Sequence, residues 1–490
     1  MEIGNIVEFL RDKTIFVTGS TGFLGKIFVE KVLRVQPNVK KLFLLVRADD
    51  AEAAKRRVLT DVIAKELFDS LREKHGHGFD AFISEKVNPV AGDIVYENLG
   101  IEDHDLMKQL YKEIDIVVNV AATTNFYERY DVALNINVLG AKHVMEFAKN
   151  CSEMKMLLHV STAYVVGERK GIISEKPFQF GETLVEGEHL DIEEELKLAV
   201  HRKEELKMKR STKEAEKSAM KELGIKRARM FGWPNTYVFT KAMGEMLLGH
   251  LRGDLPLVIM RPTIITSIYK DLSPGWIEGV RTIDSFILGY AKGKISCLLG
   301  DPDVNLDLIP GDIVVNAMIV AIAVNSKKKT QFIYHVTSSF TNMVNCSKLA
   351  QCAYDYMLKN PRMTNEGKAI KTSKCRIMKS MSSFHILMLL RYRLPLLGLF
   401  FINFAMCGLC SNLLKKMWKE YNLVMQFSEI YRPYTFFKGI FEDVNLEGLR
   451  MTMVKCDDTT LLDFDPKNID WDDYLISIHI PSILKKYLCK

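Results

Sequence analysis

The sequence predicts an α/β fold in which a doubly wound parallel sheet is followed by a second, mostly helical domain. Short apolar strands alternate with stretches of helical periodicity, a glycine-rich turn joins the first strand to the first helix, and the character of the chain changes past residue 350. Continuous apolar strands separated by helices are typical of a parallel sheet that is covered on both faces. A chain of 490 residues also exceeds one ordinary core, so two domains are expected.

Six strands are expected in the first part of the chain, at residues 14–17, 41–47, 86–93, 114–120, 156–160 and 257–262. Ligands of such sheets bind at the carboxyl ends of the strands. Between the fifth and sixth strands lies an insert at about 170–230, and its part from Asp191 to Arg229 is rich in Glu, Lys and Arg. Two interpretations of the insert stay open: a solvated pair of helices, or a cap whose cations meet an anionic substrate.

The turn after the first strand carries three regularly spaced glycines. Gly19 allows a tight turn, Gly22 lets the backbone approach a pyrophosphate, and Gly25 lets the following helix pack closely on the strand. Phosphates would then face the N–H groups at the start of the helix. The turn predicts a Rossmann-like dinucleotide-binding domain over 1–350, followed by a helical C-terminal domain over 351–490. The predicted cofactor contacts in this turn are Gly19, Thr21, Gly22, Phe23, Leu24 and Gly25.

The end of the second strand predicts which dinucleotide binds. A site for NAD usually has Asp or Glu at this position, but this chain has Arg47. A guanidinium suits a ribose 2′-phosphate because it is permanently charged and binds in a bidentate manner. NADP, used as NADPH, is therefore favoured; Arg56 or Arg57 can assist, whereas Asp49 and Asp50 weaken the inference. The other predicted cofactor contacts lie at the ends of the third and fourth strands and on a later helix: Asp93, Ala121, Tyr237 and Lys241.

Tyr237 and Lys241 form a Tyr-x-x-x-Lys pair, which places both side chains on one face of a helix. An ammonium beside a phenol favours the phenolate and so lowers the pKa of a tyrosine. Such a tyrosine can give a proton to a carbonyl oxygen as hydride reaches the carbon. The third catalytic residue is expected at the end of the fifth strand, where Thr162 is better placed than Ser161. The alternative is that the two hydroxyls only cap the strand end.

Composition and charge exclude some classes of function. A net charge of +6 is too mild for a dedicated nucleic-acid binder, so no nucleic-acid partner is expected. Nine cysteines without a disulfide framework indicate a reducing compartment, and Cys407 with Cys410 does not by itself predict a metal site. The first strand begins so early that no targeting peptide is expected before it.

An extended apolar segment lies at residues 384–414, and no charged residue occurs between Leu394 and Leu414. It only just reaches the length of about 20 residues that a spanning helix needs. Three interpretations stay open: a buried or acyl-lining helix, a helix on the membrane surface, or a true span. The basic residues that flank it are Arg391, Arg393, Lys415 and Lys416.

Taken together, these motifs resemble the extended short-chain dehydrogenase/reductase superfamily and, within it, the plant alcohol-forming fatty acyl-CoA reductases. The resemblance covers essentially the whole chain. Its most specific parts are the Gly-Trp-Pro-Asn run before Tyr237 and the Pro-Gly-Trp run after the sixth strand. The stretches that carry it are 18–25, 119–126, 128–131, 159–164, 232–237, 261–264, 274–279 and 307–310.

The resemblance implies reduction of a long- or very-long-chain acyl-CoA by two NADPH to a primary alcohol and free CoA. The route would pass through a thiohemiacetal and an aldehyde, and the alcohol would supply wax, cutin or suberin lipids. Tyr237 and Thr162 would serve in both reductions. A location at the endoplasmic reticulum membrane is expected, with the catalytic domain facing the cytosol; a soluble cytoplasmic protein is the alternative.

Two other functions stay open at this point. A nucleotide-sugar epimerase or a sterol dehydrogenase would use the same scaffold, but the apolar C-terminal region and the Gly-Trp-Pro-Asn run argue against both. A non-catalytic NADP-sensing protein would belong to another class, and such proteins often lack the tyrosine or the lysine that this chain has.

Overall fold

A seven-stranded parallel sheet forms the centre of the larger part of the molecule. The computed structural model describes residues 5–295, 297–326, 328–361, 367, 372–453 and 458–488. The strands, in chain order, are β1 (Thr14–Thr18), β2 (Lys41–Val46), β3 (Val87–Ala91), β4 (Ile116–Asn119), β5 (Met156–Val160), β6 (Gly171–Ile173), β7 (Leu257–Pro262), β8 (Ile264–Thr266), β9 (Cys297–Leu299), β10 (Leu308–Pro310), β11 (Gln331–Val336), β12 (Arg376–Met378) and β13 (Gly439–Phe441).

Helices connect these strands and cover the sheet. In chain order they are α1 (Ile6–Phe9), α2 (Phe23–Val35), α3 (Ala51–Val58), α4 (Asp69–His75), α5 (Phe79–Lys86), α6 (His104–Glu113), α7 (Tyr130–Ala133), α8 (Gly140–Asn150), α9 (Ile192–Met208), α10 (Lys213–Met230), α11 (Thr236–Leu251), α12 (Thr282–Ala291), α13 (Gly311–Asn325), α14 (Cys346–Lys359), α15 (Met381–Met388), α16 (Leu394–Ala405), α17 (Ser411–Thr435), α18 (Val444–Met453), α19 (Trp471–Asp473) and α20 (Ile480–Leu488).

The order of the strands in the sheet is β3-β2-β1-β4-β5-β7-β11, and every neighbouring pair is parallel. Every residue of β1, β5 and β7 is buried, which is why these strands are continuous apolar runs in the sequence. The order reverses between β1 and β4, and a doubly wound sheet binds its ligand at the carboxyl ends of the strands at such a point.

The predicted fold class and the six predicted strands are confirmed. The seventh strand of the sheet, β11, is not among the predicted ones, because its six residues include the polar Gln331 and His335 and resemble a mixed segment. Its register with β7 pairs Ile333 with Ile259. The insert forms two helices, α9 and α10, which are capped by the side chains of Asp191 and Thr212.

The described chain forms two compact units, and each is assembled from several stretches. The first unit comprises Met1–Gly279, Leu308–Asn342 and Ile440–Ile469 and contains the sheet. The second unit comprises Val280–Asp307, Met343–Gly439 and Asp470–Lys490 and is mostly helical. The two units interleave along the chain, so the division at residue 350 stays a prediction.

The apolar segment at 384–414 lies in the second unit and is not one continuous helix. Helix α16 ends at Ala405, residues 406–410 form a turn in which Gly408 has φ +91°, and α17 begins at Ser411. We call residues 394–414 the apolar hairpin. By length and composition alone, the helical run Met381–Ala405 could cross a membrane. Its most apolar 18 residues have a mean hydropathy of 1.5, and 11% of that stretch is buried. So little burial argues against a helix of the core.

Candidate active site

The glycine turn between β1 and α2 has the geometry that a dinucleotide needs. Gly19 has φ +70°, and a Cβ atom there would lie 2.6 Å from the backbone nitrogen of Ala121. A Cβ atom on Gly25 would lie 2.3 Å from the carbonyl oxygen of Gly19. Both positions therefore require glycine, the first because of its conformation and its close approach to the end of β4. The turn thus lies at the point where the strand order reverses.

Helix α2 begins at this turn without a side-chain cap, because its N-cap residue is Gly22. The start of a helix attracts anions through its N–H groups and its dipole. Ser20 is fully buried within the turn, and its Oγ atom has no hydrogen-bond partner among the described residues. Gly22 is exposed and Thr21 half-buried, whereas Phe23, Leu24 and Gly25 are buried. The predicted cofactor contacts of this turn therefore fit a pyrophosphate group.

Tyr237 and Lys241 lie on α11, which runs past the carboxyl end of β5. The Nζ atom of Lys241 is 2.7 Å from the carbonyl oxygen of Val160, the last residue of β5. Lys241 is only 1% exposed, and this burial lowers the pKa of its ammonium group to about 8, against the opposing effect of Glu245. Tyr237 is half-buried, and its ring stacks on Phe126 with the centroids 5.7 Å apart.

The residues before Tyr237 explain why α11 begins where it does. The side chain of Asn235 accepts a hydrogen bond from the backbone N–H of Val238 and so caps the helix. Trp233 is fully buried, and its indole N–H donates to the carbonyl oxygen of Val165 at 2.6 Å. This bond ties the start of α11 to the 3₁₀ turn at Ala163–Val166, which directly follows the two predicted hydroxyl residues.

Both hydroxyl candidates lie at the carboxyl end of β5. Thr162 is 5% exposed, and its Oγ1 atom accepts a long hydrogen bond of 3.4 Å from the N–H of Tyr164, so it also caps the turn. Ser161 is 4% exposed, and its Oγ atom has no hydrogen-bond partner among the described residues. Buried polar groups are normally paired, so an unpaired hydroxyl here is consistent with a group that is held for a substrate. Thr162 and Ser161 both remain candidates.

Three of the predicted cofactor contacts, Arg47, Asp93 and Ala121, follow the ends of β2, β3 and β4. Arg47 is exposed, and its carbonyl oxygen accepts from the guanidinium of Arg57 at 2.6 Å. Asp50 caps α3 through the N–H of Ala53, so its carboxylate is already engaged. Arg47 directly follows β2, and Asp49, two residues further on, is also exposed.

The two remaining predicted cofactor contacts are held by hydrogen bonds in the backbone loops. Asp93 lies in the turn after β3, where its Oδ1 atom accepts from the N–H of Val95 at 3.2 Å. Ala121 follows β4, and its N–H donates to the Oγ1 atom of Thr18 at 3.2 Å. Both residues therefore lie beside strand ends, as the predicted sites require.

A buried polar group beside Lys241, His159, is not among the predicted site residues. The Nε2 atom of His159 is 3.0 Å from the Nζ atom of Lys241, and the Nδ1 atom of His159 is 3.0 Å from the Nδ2 atom of Asn119. Burial and the charge of Lys241 hold the pKa of His159 well below its usual value. His159 and Asn119 are polar residues within two apolar strands of the sequence, and that is the signal that could have found them.

Helix α10 of the insert borders a basic groove on the first unit. The groove has a volume of about 330 Å³ and is lined by Tyr127, Glu222, Ile225, Lys226 and Arg229. The Nζ atom of Lys221 lies 5.0 Å from the centroid of the Tyr127 ring. Tyr127 directly follows Phe126, whose ring stacks on that of Tyr237, so one residue of the groove is adjacent in sequence to a neighbour of the predicted proton donor.

The sheet order, the glycine turn and the Tyr–Lys pair define the class of this protein as a Rossmann-like oxidoreductase. Two family models, both described as male sterility protein, match residues 17–318 and 391–490. The chain is 48% identical to the probable fatty acyl-CoA reductase 4 of Arabidopsis thaliana, with 99% of each chain covered. It is 46% identical to the alcohol-forming fatty acyl-CoA reductase of Simmondsia chinensis, again over 99% of each.

The chain therefore belongs to the fatty acyl-CoA reductase family, and the recognised resemblance is confirmed. Solved structures support the fold at low sequence identity. The terminal R domain from the myxalamid PKS-NRPS biosynthetic pathway gives a TM-score of 0.61 at 18% identity, covering 97% of this chain and 91% of that chain. The R domain of a non-ribosomal peptide synthetase from Mycobacterium tuberculosis gives 0.59 at 18% identity, covering 98% and 95%. The protein is therefore an oxidoreductase, and the prediction of an enzyme, not a non-catalytic sensor, is confirmed.

Proposed function

We propose that this protein reduces a long- or very-long-chain acyl-CoA to a primary alcohol and free CoA, with NADPH as the reductant. The observation that carries the proposal is the meeting of Lys241 with the end of β5, beside two buried hydroxyls and next to Tyr237 on the same helix. The names of the two plant relatives support the substrate and the product. In a plant, the alcohol would supply wax, cutin or suberin lipids.

NADPH supplies a hydride when it is bound. The glycine turn at Gly19–Gly25 would hold its pyrophosphate, and Arg47 would pair with its 2′-phosphate, since a guanidinium suits that group. Asp93 and Ala121 would contact it from the ends of β3 and β4, and Lys241 would bind the nicotinamide ribose.

In each reduction the carbonyl oxygen of the substrate becomes anionic and needs a proton. Tyr237 would donate that proton from its hydroxyl, while Thr162 or Ser161 holds the same oxygen by a hydrogen bond. In the first reduction the thioester becomes a thiohemiacetal, which releases CoA as the thiol and leaves an aldehyde. In the second, the aldehyde becomes the alcohol. One acyl-CoA therefore consumes two hydrides and two protons, and the same residues serve twice.

The ammonium of Lys241 would stabilise the Tyr237 phenolate that forms when the proton leaves. This requires the charged form of Lys241, and burial lowers the pKa of that group to about 8. A depressed lysine pKa means that the ammonium is present below pH 8 and is lost as the pH rises above it. Reduction should therefore slow above about pH 8.

We further propose that the basic groove binds the phosphate-bearing end of CoA. Lys226 and Arg229 are exposed on one wall, and the ring of Tyr127 offers an apolar face to a base. This agrees with the insert acting as a cap that meets an anionic substrate. Reversing both charges, Lys226→Glu with Arg229→Glu, should raise the KM for acyl-CoA by roughly three- to tenfold, as expected for exposed charges.

An acyl-pantetheine thioester, which lacks the nucleotide, is the matched substrate for this test. Its KM should be unaffected by the reversal. Lys213→Glu with Lys217→Glu, on the exposed part of the same helix, serves as the control variant. An equal increase in KM for both substrates would show that the groove does not bind the nucleotide.

The apolar hairpin supports a location at a membrane. Its most exposed apolar side chains are Phe401 at 67%, Phe404 at 81% and Leu409 at 79%. The exposed basic residues at its two ends suit an anionic leaflet. We propose that the hairpin docks on the cytosolic face of the endoplasmic reticulum, from which a long acyl chain can be delivered; a soluble cytoplasmic protein is the alternative.

A substrate comparison tests the proposed function. Purified protein with NADPH is offered a C16 to C30 series of acyl-CoAs, a nucleotide sugar and a sterol, and products are identified by mass spectrometry. We expect alcohol and free CoA from the acyl-CoAs only. Turnover of the nucleotide sugar or the sterol, without alcohol from any acyl-CoA, would contradict the proposal.

A further inference from the structure

A chain of buried polar side chains runs from Lys241 across three strands of the sheet. Lys241 contacts His159 at 3.0 Å, His159 contacts Asn119 at 3.0 Å, and the Oδ1 atom of Asn119 accepts from the Oγ1 atom of Thr18 at 2.6 Å. Each of these four side chains is at most 1% exposed. Polar groups so far from water are costly unless they are paired, so this chain fixes the geometry of its members.

The positions of the protons in this row of side chains link the orientation of the Asn119 amide to the charge of Lys241. His159 is neutral, since its pKa is held well below the usual value, and a neutral imidazole has one N–H and one lone pair. A charged Lys241 can only donate, so it needs the lone pair on Nε2. The proton of His159 must then be on Nδ1, where the amide oxygen of Asn119 has to accept it.

The opposite charge state needs the opposite arrangement. When the amide nitrogen of Asn119 faces Nδ1, as placed here, the proton of His159 is on Nε2. Only the neutral amine of Lys241 can accept that proton, while it still donates to Val160. A half-turn of the Asn119 amide therefore accompanies the change in charge of Lys241. The hydroxyl of Thr18 can donate or accept, so it can pair with Asn119 in both orientations of the amide.

We propose that His159 is a positioning residue for the reduction: it holds the Nζ group of Lys241 beside the end of β5 and, with Asn119, accommodates that group in both of its charge states. The inference rests on the proposed function. His159 does not contact the substrate in this scheme. It acts through Lys241, whose ammonium serves the Tyr237 phenolate.

The charged groups around Lys241 leave this role to His159. Glu245 lies one turn further along α11, but it forms a buried ion pair with Arg261 of β7 at 2.6 Å. Tyr237 lies one turn earlier on the same helix. The ends of β1 and β4 present the neutral Thr18 and Asn119. Among these neighbours, His159 offers the ring lone pair that an ammonium can use.

Substitution of His159 tests the proposal through the pH dependence of kcat/KM. His159→Leu and His159→Met remove the acceptor with two different shapes, and His159→Gln keeps a polar acceptor. A hydrogen bond from an ammonium is stronger than one to a neutral amine, so loss of the partner disfavours the ammonium more, and the alkaline limb of the apolar variants should move to lower pH. We expect kcat near pH 7 to drop roughly ten- to hundredfold with a nearly unchanged KM for acyl-CoA. His159→Gln should restore much of the rate and the position of the limb.

Two further readouts separate this role from simple packing. NADPH affinity, measured by fluorescence titration, should weaken in the apolar variants and recover in His159→Gln, because Lys241 also binds the ribose. Thermal unfolding of each variant establishes whether it is folded, so that a loss of activity is not mistaken for a loss of structure. An unchanged alkaline limb in a folded apolar variant would overturn the proposal. If both apolar variants fail to fold, His159→Asn replaces them, because an asparagine amide ends near the position of Nδ1 and leaves the position of Nε2 without an acceptor. A limb at lower pH in that variant would then support the proposal, and an unchanged limb would overturn it.

The unmodified protein separates this inference from the proposed function. If it forms no alcohol from any acyl-CoA, the proposed function itself is wrong. If it does form alcohol while the folded His159 variants that lack the acceptor keep its pH profile and NADPH affinity, only the role of His159 is wrong.

Discussion

The strand-end site of the first unit and the apolar hairpin of the second unit differ in how their side chains meet water. Lys241 and His159 are each 1% exposed and are fixed by hydrogen bonds, whereas Phe401 and Phe404 are 67% and 81% exposed. The first arrangement is typical of a site that controls proton transfer by excluding water. The second is typical of a surface that needs an apolar partner. Substitutions in the two regions should therefore affect different measurements.

The largest effect is expected at Tyr237. Tyr237→Phe removes the proton donor but keeps the ring that stacks on Phe126. Alcohol formation should drop by roughly 10²–10⁴-fold, which is the usual contribution of a general acid. Steady-state rates with acyl-CoA and NADPH measure this, and Tyr164→Phe, at a buried tyrosine in the neighbouring turn, serves as the control. Turnover of Tyr237→Phe near that of the unmodified protein would contradict the mechanism.

The next largest effect is expected at Arg47 and concerns the choice of cofactor. Arg47→Ala should raise the KM for NADPH by roughly ten- to hundredfold, because a hydrogen bond to a charged group is lost. The KM for NADH should change little. Lys55→Ala, at an exposed cation of the adjoining helix to which no role in cofactor binding is assigned, is the matched control. Equal losses with both cofactors would show that Arg47 does not bind the 2′-phosphate.

Substitutions in the apolar hairpin should change where the protein is located and which acyl chain lengths it reduces, but not the chemical step. Phe400→Asp with Phe404→Asp should shift the protein from the membrane fraction to the soluble fraction. Activity on long acyl chains should be lost before activity on short ones, since only long chains depend on delivery from a bilayer. Phe340→Asp is the control, because Phe340 is a 56% exposed phenylalanine of the first unit. A hairpin variant that stays membrane-bound with the same chain-length profile would leave the hairpin as an ordinary surface.

The smallest effect is expected at Glu175, a buried carboxyl group of the first unit. Glu175 accepts from the backbone N–H groups of His335 and Asn445, and burial raises its pKa from 4.5 to about 8. The pKa is raised on folding, so this group destabilises the fold as the pH rises from 4.5 through 8. Glu175→Gln keeps an acceptor without the charge. Its Tm relative to the unmodified protein should therefore increase over that pH range, and a difference that does not vary with pH would contradict this.

Much of the fold and of the site follows from local sequence patterns. The strands, the glycine turn and the Tyr237–Lys241 spacing are visible because each depends on residues within one or two elements. The roles of His159 and Asn119 depend on the parallel register that places β4 beside β5, where Asn119 is paired with His159. Because the two residues are far apart in sequence, their contact could not be predicted from the sequence alone.

For the apolar hairpin, the sequence reveals the segment itself but not whether its side chains are buried or exposed. Its composition is plain in the sequence, but composition does not distinguish a buried helix from an exposed one, since both are apolar. The turn at 406–410 and the exposure of the phenylalanines come from the packing of α16 and α17. Leu396 is buried, while its neighbour Leu397 is 37% exposed.

The stoichiometry of the complete reaction tests the central claim most directly. A limiting amount of a C18 acyl-CoA is incubated with purified protein and excess NADPH, and NADPH oxidised, free thiol and alcohol are measured in the same sample. The account predicts two NADPH oxidised for each alcohol formed and each CoA released, because the same tyrosine and lysine serve both reductions. One NADPH oxidised for each CoA, with aldehyde as the accumulating product, would contradict it.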